Sequence, residues 1–227
     1  DLDDAGSLAT LMGGKDAPVL GWSWATGDGV KGNEEQWPRT RLTIALSSQS
    51  LSRTALEQIG AVALLQKPFE MSQLQRYLRI LQKLLFAREE AHPSGAKARI
   101  LVVDDDVTIT DTISECLMLE SKYEVAVAYD GLEALEQCLN WRPHCMVTDL
   151  IMPWMNGYQV MRCLATTQLY KIPAFVVISA LHNLEVPMNR TYLQGKVVVY
   201  VNKPFTLDHL LNTIEQVCKQ SAKSSGY

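Results

Sequence analysis

The sequence has no apolar run near the ~20 residues that cross a bilayer, and no basic-then-apolar segment opens it. It also lacks the basic excess of a nucleic-acid-binding surface: Lys and Arg number 21 against 25 Asp and Glu, a formal charge of −4. Cysteine is sparse. Cys116, Cys138, Cys145, Cys163 and Cys218 form no CxxC pair or metal knuckle in sequence, and their odd number suits reduced thiols in a cytosolic protein. The four histidines (His92, His144, His182, His209) are equally scattered and give a zinc site little support. The first residue is Asp1 rather than Met, as in a fragment or processed product. What remains is ordinary globular usage. The chain has 227 residues, 47% hydrophobic and 20% charged, enough for one large domain or two small ones.

The clearest break is at residues 88–98, polar and carrying Pro93 and Gly95 between two apolar patterns, as a linker does. It divides the chain into domains at 1–87 and 99–220, with a tail at 221–227. Residues 1–40 hold Gly6, Gly13, Gly14, Gly21, Gly27, Gly29 and Gly32. They read as mostly loop, with a short helix at Ser7–Met12 and a turn at Gly27-Asp28-Gly29. Trp22 and Trp24 read as loop aromatics packing on one another's neighbourhood rather than a ligand platform.

Beyond the linker, strands and helices alternate. Strands are expected at Ile100–Val103, Glu124–Ala128, His144–Thr148, Pro173–Ser179 and Val197–Val201. Helices are expected at Val107–Glu120, Leu132–Leu139, Gly157–Thr167, near Leu184–Gln194 and at Leu207–Lys219. This is an α/β pattern: a doubly wound parallel sheet covered on both faces, with function beyond the carboxyl ends of its strands. At those ends stand Asp104-Asp105-Asp106, Asp149, Ser179 and Lys203-Pro204. Clustered acids repel one another and resist losing their water. A divalent cation and a lysine are the simplest way to hold them ionised, and hard oxygen ligands suit Mg²⁺.

Four segments carry a resemblance: Ile-Leu-Val-Val-Asp-Asp-Asp (100–106), Val-Thr-Asp-Leu-Ile-Met-Pro-Trp-Met-Asn-Gly (147–157), Val-Val-Ile-Ser-Ala (176–180) and Tyr-Val-Asn-Lys-Pro-Phe (200–205). In this order and spacing, residues 97–220 resemble the receiver domain of two-component response regulators, a flavodoxin-like (βα)5 fold. The resemblance implies that Asp149 is the phosphoacceptor and that Asp104, Asp105, Asp149 and the carbonyl of Ile151 place Mg²⁺. It implies that Lys203 pairs with the phosphoryl group, that Ser179 bonds it, and that Tyr200 is the aromatic switch. It also implies a cis bond before Pro204. The donor would be a phosphohistidine on a histidine kinase or phosphotransfer protein. Enzymatic action would be limited to self-phosphorylation and slow self-dephosphorylation. Output to a downstream protein partner would use the face of the fourth helix, fifth strand and fifth helix. Ile151 and Leu181, each two residues past a site residue, are apolar and are expected to slow hydrolysis. The segment from Ser179 to Lys203 is slightly long, which points to an irregular fourth helix. No kinase phosphorylation helix, ATP-binding pattern or DNA-binding output domain is readable, so the chain is expected to act by changing its contacts.

Two other readings compete. Asp104-Asp105-Asp106-Val107-Thr108 fits the Asp-x-Asp-x-Thr opening of a haloacid-dehalogenase-type phosphatase, with Asp104 as nucleophile and Asp106 as acid. That reading leaves Asp149, Met152-Pro153 and Gly157 unexplained. The other is a structural tandem module that is never phosphorylated, against which the complete set of site residues argues. Taken alone, the acidic triplet could also be a helix N-cap region.

The first half repeats part of the second. Thr43-Ile-Ala-Leu-Ser-Ser48 parallels Phe175–Ala180 at an offset of 132, and Gln66-Lys-Pro-Phe69 parallels Asn202–Phe205 at 136. Leu74 and Leu78 parallel Leu210 and Ile214 at the same 136. Residues 42–86 thus resemble the last two strands and helices of another receiver. Ser47 and Lys67 are kept, and Leu64 stands in place of the switch aromatic. Asp1-Leu2-Asp3 is either the tail of a phosphoacceptor strand or part of a rebuilt pseudo-receiver, and this half is expected not to be phosphorylated. Met71, Leu74, Leu78, Leu81 and Leu85 follow heptad spacing. The plain reading is a stripe packed on its own sheet, and the sharper one is a homodimer helix.

Overall fold

The computed structural model describes residues 6–13, 18–26, 29–30, 41–48, 51, 61–86, 97–166, 172–180 and 196–224. The chain forms two compact units, one built mainly on Asp1–Arg88 and the other on Glu89–Met161 and Tyr170–Tyr227.

The second unit contains β6 (Ala98–Val103), α2 (Val107–Met118), β7 (Tyr123–Ala128), α3 (Gly131–Asn140), β8 (Cys145–Asp149), the start of α4 (Gly157–Thr166), β9 (Ala174–Ser179), β10 (Val198–Asn202) and α5 (Leu207–Ser224). Its five strands are all parallel, in the order β10-β9-β8-β6-β7. The continuous apolar runs become central strands: β8 and β9 are buried at every residue, as strands covered on both faces must be. One face packs Ile100, Val102, Val147, Val176 and Ile178 against Ile113 and Leu117 of α2 and Leu210, Ile214 and Val217 of α5. The order reverses direction at β6, where β7 lies on one side and β8 on the other, and the crevice at such a switch point is where ligands bind.

Helix starts are set by side chains. Asp106 caps α2, accepting from the backbone N–H of Thr108 at 2.8 Å and Ile109 at 3.4 Å. Asp130 caps α3 through Glu133 N–H at 2.7 Å. Asn156 and Gln159 cap α4 reciprocally: Asn156 Oδ1 accepts from Gln159 N–H at 3.0 Å, and Gln159 Oε1 accepts from Asn156 N–H at 2.8 Å. The closing helix runs to Ser224, past the expected end at Lys219 and into the expected tail. The helix expected near Leu184–Gln194 lies outside the described residues, as does most of the expected linker. Ala98 already belongs to β6, where it pairs with Tyr123.

The first unit holds β1 (Gly6–Gly13), β2 (Pro18–Thr26), β3 (Gly29–Val30), β4 (Arg41–Ser47), β5 (Ala61–Gln66) and α1 (Met71–Phe86), with sheet order β3-β2-β1-β4-β5. Only β4 and β5 are parallel; β1 is antiparallel to both β2 and β4. This overturns the reading of mostly loop and of a helix at Ser7–Met12. The six-residue stretch Ser7–Met12 is too short for periodicity to separate helix from strand, and pairing on both sides decides for strand. In β2 the period-two recurrence of Leu20, Trp22 and Trp24 was a strand signal set among glycines. Thr26 pairs with Gly29, which suits the expected turn between them, although residues 27–28 are not described. On α1 the buried residues are Leu74, Tyr77, Ile80, Leu81 and Leu84, with Met71 62% exposed. Of the expected seam, Leu74 and Leu81 are buried and Leu78 half-buried while Met71 is exposed, and Tyr77, Ile80 and Leu84 widen the buried stripe beyond it; the helix packs on β1.

Candidate functional site

The carboxyl ends of β6, β8 and β10 converge. Asp104 follows β6 and is 2% exposed, Asp105 is exposed beside it, and Asp149 is the last residue of β8. One carboxylate oxygen from each of these three lies within 4.8 Å of the others. It is the one such acidic, histidine or cysteine grouping among the described residues.

Each acid is oriented by the backbone. Asp104 Oδ1 accepts from Asp106 N–H at 2.9 Å. Asp149 Oδ1 accepts from Ile151 N–H at 3.2 Å. Lys203 follows β10 and donates from Nζ to Asp149 Oδ2 at 2.8 Å, standing 3.6 Å from Asp104 Oδ2. Burial works against the Lys203 charge, but the hydrogen bond and attraction of Asp149, with Asp104 behind it, outweigh burial and raise its pKa. Burial dominates at Asp104 and raises its pKa, although the Asp106 N–H and Lys203 act the other way.

Asp104 Oδ2 is buried and accepts no hydrogen bond. A buried carboxylate oxygen without a donor, facing two further carboxylates, fits a hard divalent cation held through oxygen. Asp106 is differently placed: its side chain is occupied by the α2 cap.

Ser179 ends β9 and is 1% exposed. Its carbonyl accepts from Lys203 N–H at 2.8 Å, and the neighbouring Ile178 carbonyl accepts from Leu150 N–H at 3.2 Å. These two bonds fix the strand ends that carry Lys203 and Asp149 to β9. Tyr200, half-buried on β10, is opposite Val177. Ile151 and Trp154 protrude from the loop after Asp149, 62% and 52% exposed. Leu181 lies outside the described residues. The Lys203–Pro204 bond is cis, as the resemblance implied; so is Lys67–Pro68.

Some supporting residues were not singled out from sequence. Thr110 Oγ1 donates to the carbonyls of Asp104 at 3.1 Å and Asp106 at 2.9 Å, and Thr148 Oγ1 donates to Asp149 O at 2.9 Å. A threonine's hydroxyl alone carries no sequence signal for such a role. Gly157 did stand in a quoted segment, and its reason is now visible: a Cβ there would lie 2.3 Å from Asp149 O.

Comparison with known proteins agrees with this geometry. Residues 100–215 match the response regulator receiver domain family. Response regulator MprA of Mycobacterium sp. (strain KMS) is 32% identical over 128 residues, 56% of this chain and 54% of that protein. MprA of Mycobacterium avium (strain 104) is 32% identical over 123 residues, 54% of this chain and 52% of that one. This chain thus spans about half the length of the curated relatives it matches. Among solved structures, the signal receiver domain of a protein described as a Luxo repressor in Vibrio parahaemolyticus shares the fold, with TM-score 0.50, 17% identity, and coverage of 57% of this chain and 95% of that one. Vibrio cholerae chemotaxis protein CheY4 gives TM-score 0.46 at 28% identity, covering 54% and 99%. With the match spanning half the chain and enclosing the acidic cluster, this chain belongs to the response regulator receiver domain family.

Proposed function

We propose that Asp149 accepts a phosphoryl group from a phosphohistidine of a partner histidine kinase or phosphotransfer protein. The observation that carries this is Lys203 Nζ bonded to Asp149 Oδ2 at 2.8 Å, with Asp104 and Asp105 gathered beside it. A carboxylate is a weak nucleophile, but phosphoryl transfer needs chiefly positioning and charge neutralisation. Asp149 is held by Ile151 N–H, and Lys203 offsets charge developing on the transferred oxygens. In transfer the phosphorus–nitrogen bond of the donor breaks as the bond to an Asp149 carboxylate oxygen forms. Asp104, Asp105, Asp149 and the Ile151 carbonyl would hold Mg²⁺, which when bound supplies further neutralisation of phosphoryl charge.

Ser179 and Tyr200 then read the added charge. Drawing Ser179 toward the phosphoryl group, and Tyr200 after it, biases a two-state equilibrium and changes contacts with a downstream partner. The chain's own activities are self-phosphorylation and slow self-dephosphorylation, in a cytoplasmic setting. The phosphatase reading is not favoured, because Asp106, its acid, is committed to the α2 cap.

The first unit, in this proposal, is a degenerate receiver over 1–87, joined by a linker at 88–98 to the receiver at 99–220. Support comes from its β4–β5 pair. Ser47 pairs with Gln66 as Ser179 pairs with Asn202, and Lys67 N–H donates to Ser47 O at 2.7 Å as Lys203 N–H does to Ser179 O at 2.8 Å. A tandem receiver of this kind can also supply a homodimer contact.

The test is intact mass after incubation with Mg²⁺ and acetyl phosphate, beside Asp149→Asn. One phosphoryl gain in the native chain, absent from the variant, is the expected result. Gain in both, or turnover of an aryl phosphate, overturns the assignment.

A further inference from the structure

A buried hydroxyl outside the acidic cluster is bonded to the chain segment that carries two of its three acids. Thr110 stands on the first turn of α2 and is 0% exposed. Its Oγ1 donates to Asp106 O at 2.9 Å and to Asp104 O at 3.1 Å. The first bond is ordinary: a threonine in a helix readily reaches the carbonyl four residues back, and this carries no functional signal. The second is different. It reaches back beyond the start of α2 and ends on the carbonyl just past β6. A hydroxyl has a single proton, so Thr110 shares it between the two carbonyls that bracket Asp105.

The same turn is held from other sides. Asp104 N–H donates to Ala128 O at 3.3 Å, and Thr110 N–H donates to Asp106 O at 3.0 Å. Asp106 N–H donates to Asp104 Oδ1 at 2.9 Å. With its carbonyl bonded as well, Asp104 is fixed on both sides of its Cα. In that setting Asp104 Oδ2 is buried with no hydrogen-bond donor. One carboxylate oxygen of Asp104 and one of Asp105 then lie within 4.8 Å of each other and of one from Asp149. Packing does not call for the hydroxyl, since valine has the same shape as threonine. What threonine adds at this position is the bond.

We propose that Thr110 is a positioning residue for the divalent cation of the acidic site: its hydroxyl fixes the Asp104-Asp105-Asp106 turn so that Asp104 and Asp105 present their carboxylates together. This rests on the reading of Asp104, Asp105 and Asp149 as holders of Mg²⁺. Acids gathered this closely repel one another, and a looser turn would let them part when no cation lies between them. A turn already held leaves less to order on binding. Thr110 acts through backbone carbonyls and supplies no ligand oxygen, so its effect falls on affinity for the ion rather than on the chemistry of Asp149.

The test is equilibrium binding of Mn²⁺, a hard divalent probe, to the full chain, read from loss of the free-ion electron paramagnetic resonance signal. Asp104→Asn defines the site: the native chain should bind an ion that this variant loses. Thr110→Val should weaken that binding roughly 10-fold, the scale of losing an outer partner of a metal ligand. Thr110→Ser, which keeps the hydroxyl, should bind as the native chain does. Ile113→Val, which trims the core packing of the same helix, should also leave binding unchanged. With acetyl phosphate as donor, Thr110→Val should need correspondingly more Mg²⁺ for half-maximal uptake and still reach the native plateau rate. Native affinity in Thr110→Val, or an equal loss in Ile113→Val, overturns the proposal and leaves the metal reading standing. A loss of roughly 10-fold in Thr110→Ser also overturns it, and that arm holds even where the valine variant does not fold. A native chain that binds no Mn²⁺ overturns the metal reading and this proposal with it.

Discussion

Lys203 is held at two points: its Nζ donates to Asp149 Oδ2 at 2.8 Å, and its backbone N–H donates to Ser179 O at 2.8 Å. The ammonium is thus delivered to the carboxylate by a strand end that the neighbouring strand fixes. Replacing it with a methyl group removes the protein's own cation from the site. Lys203→Ala should slow phosphoryl uptake from acetyl phosphate by roughly 100-fold, the scale of losing one preorganised charge-stabilising donor. Lys203→Arg should recover only part, since a planar fork does not replace a point charge at this reach. An unchanged uptake rate in Lys203→Ala would remove the lysine from the mechanism.

Asp104 gives a pH prediction whose sign follows from its burial. Its folded-state pKa is raised above the ordinary 3.8, so its favourable contribution is complete below that value and is lost as pH climbs through the raised one. Asp104→Asn cannot ionise. In EDTA the variant should match the native chain at acidic pH and exceed it at neutral pH by on the order of 1 kcal/mol, the scale of a buried polar group without a partner. Urea unfolding across that range tests this. A variant less stable at neutral pH would mean that the Lys203 pairing outweighs the burial cost.

Gly157 is a packing requirement. Gly157→Ala places a Cβ 2.3 Å from Asp149 O and 3.1 Å from Thr148 Oγ1, and the first of these is backbone that cannot swing away. Destabilisation of about 2–3 kcal/mol is expected, as for overpacked interiors. Denaturant midpoints at constant slope measure it, and a neutral substitution would show that the β8–α4 turn has slack.

Asp106 separates capping from chemistry. Asp106→Ala should cost about 1 kcal/mol through the lost α2 cap. Phosphoryl uptake at Asp149 should be unaffected, because Asp104 is oriented by the backbone N–H of residue 106 and not by its side chain. Stability and uptake measured on one preparation resolve the two effects. Abolished uptake in a folded variant would reopen a chemical role for this acid.

Ile151 is 62% exposed beside the acceptor and offers water no hydrogen bond. A polar side chain that can orient an attacking water, as in Ile151→Asn, should shorten the lifetime of the phosphorylated chain. Phosphate release followed after removal of the donor gives the rate. A phosphorylated lifetime that Ile151→Asn leaves unchanged would defeat the idea.

The second unit was legible because its signals agree at several levels. Short apolar runs, capped helices and polar strand ends all specify the same parallel sheet, so strand boundaries fell within one or two residues at Ile100, Cys145 and Ala174. Asp104, Asp105, Asp149 and Lys203 were legible for the same reason: strand ends are where a parallel sheet puts chemistry. Residues 6–30 were not, because glycine spacing concealed period-two alternation and strand identity there rests on partners distant in sequence, such as Ser7 with Leu46.

The loop that carries Ile151 and Trp154 is clasped along its length. Gly157 N–H reaches back to Leu150 O at 3.2 Å, Met155 N–H bonds Pro153 O at 2.7 Å, and Met155 lies so close to Gly131 that no Cβ fits between them. Trp154 holds a φ of 66°, a conformation a bulky residue keeps only when its surroundings impose it. The rim of the acidic site is therefore shaped by main-chain bonds at several points. Under the proposed function, a phosphodonor would meet a surface already formed, and most of the ordering entropy of the encounter would fall on the donor's side.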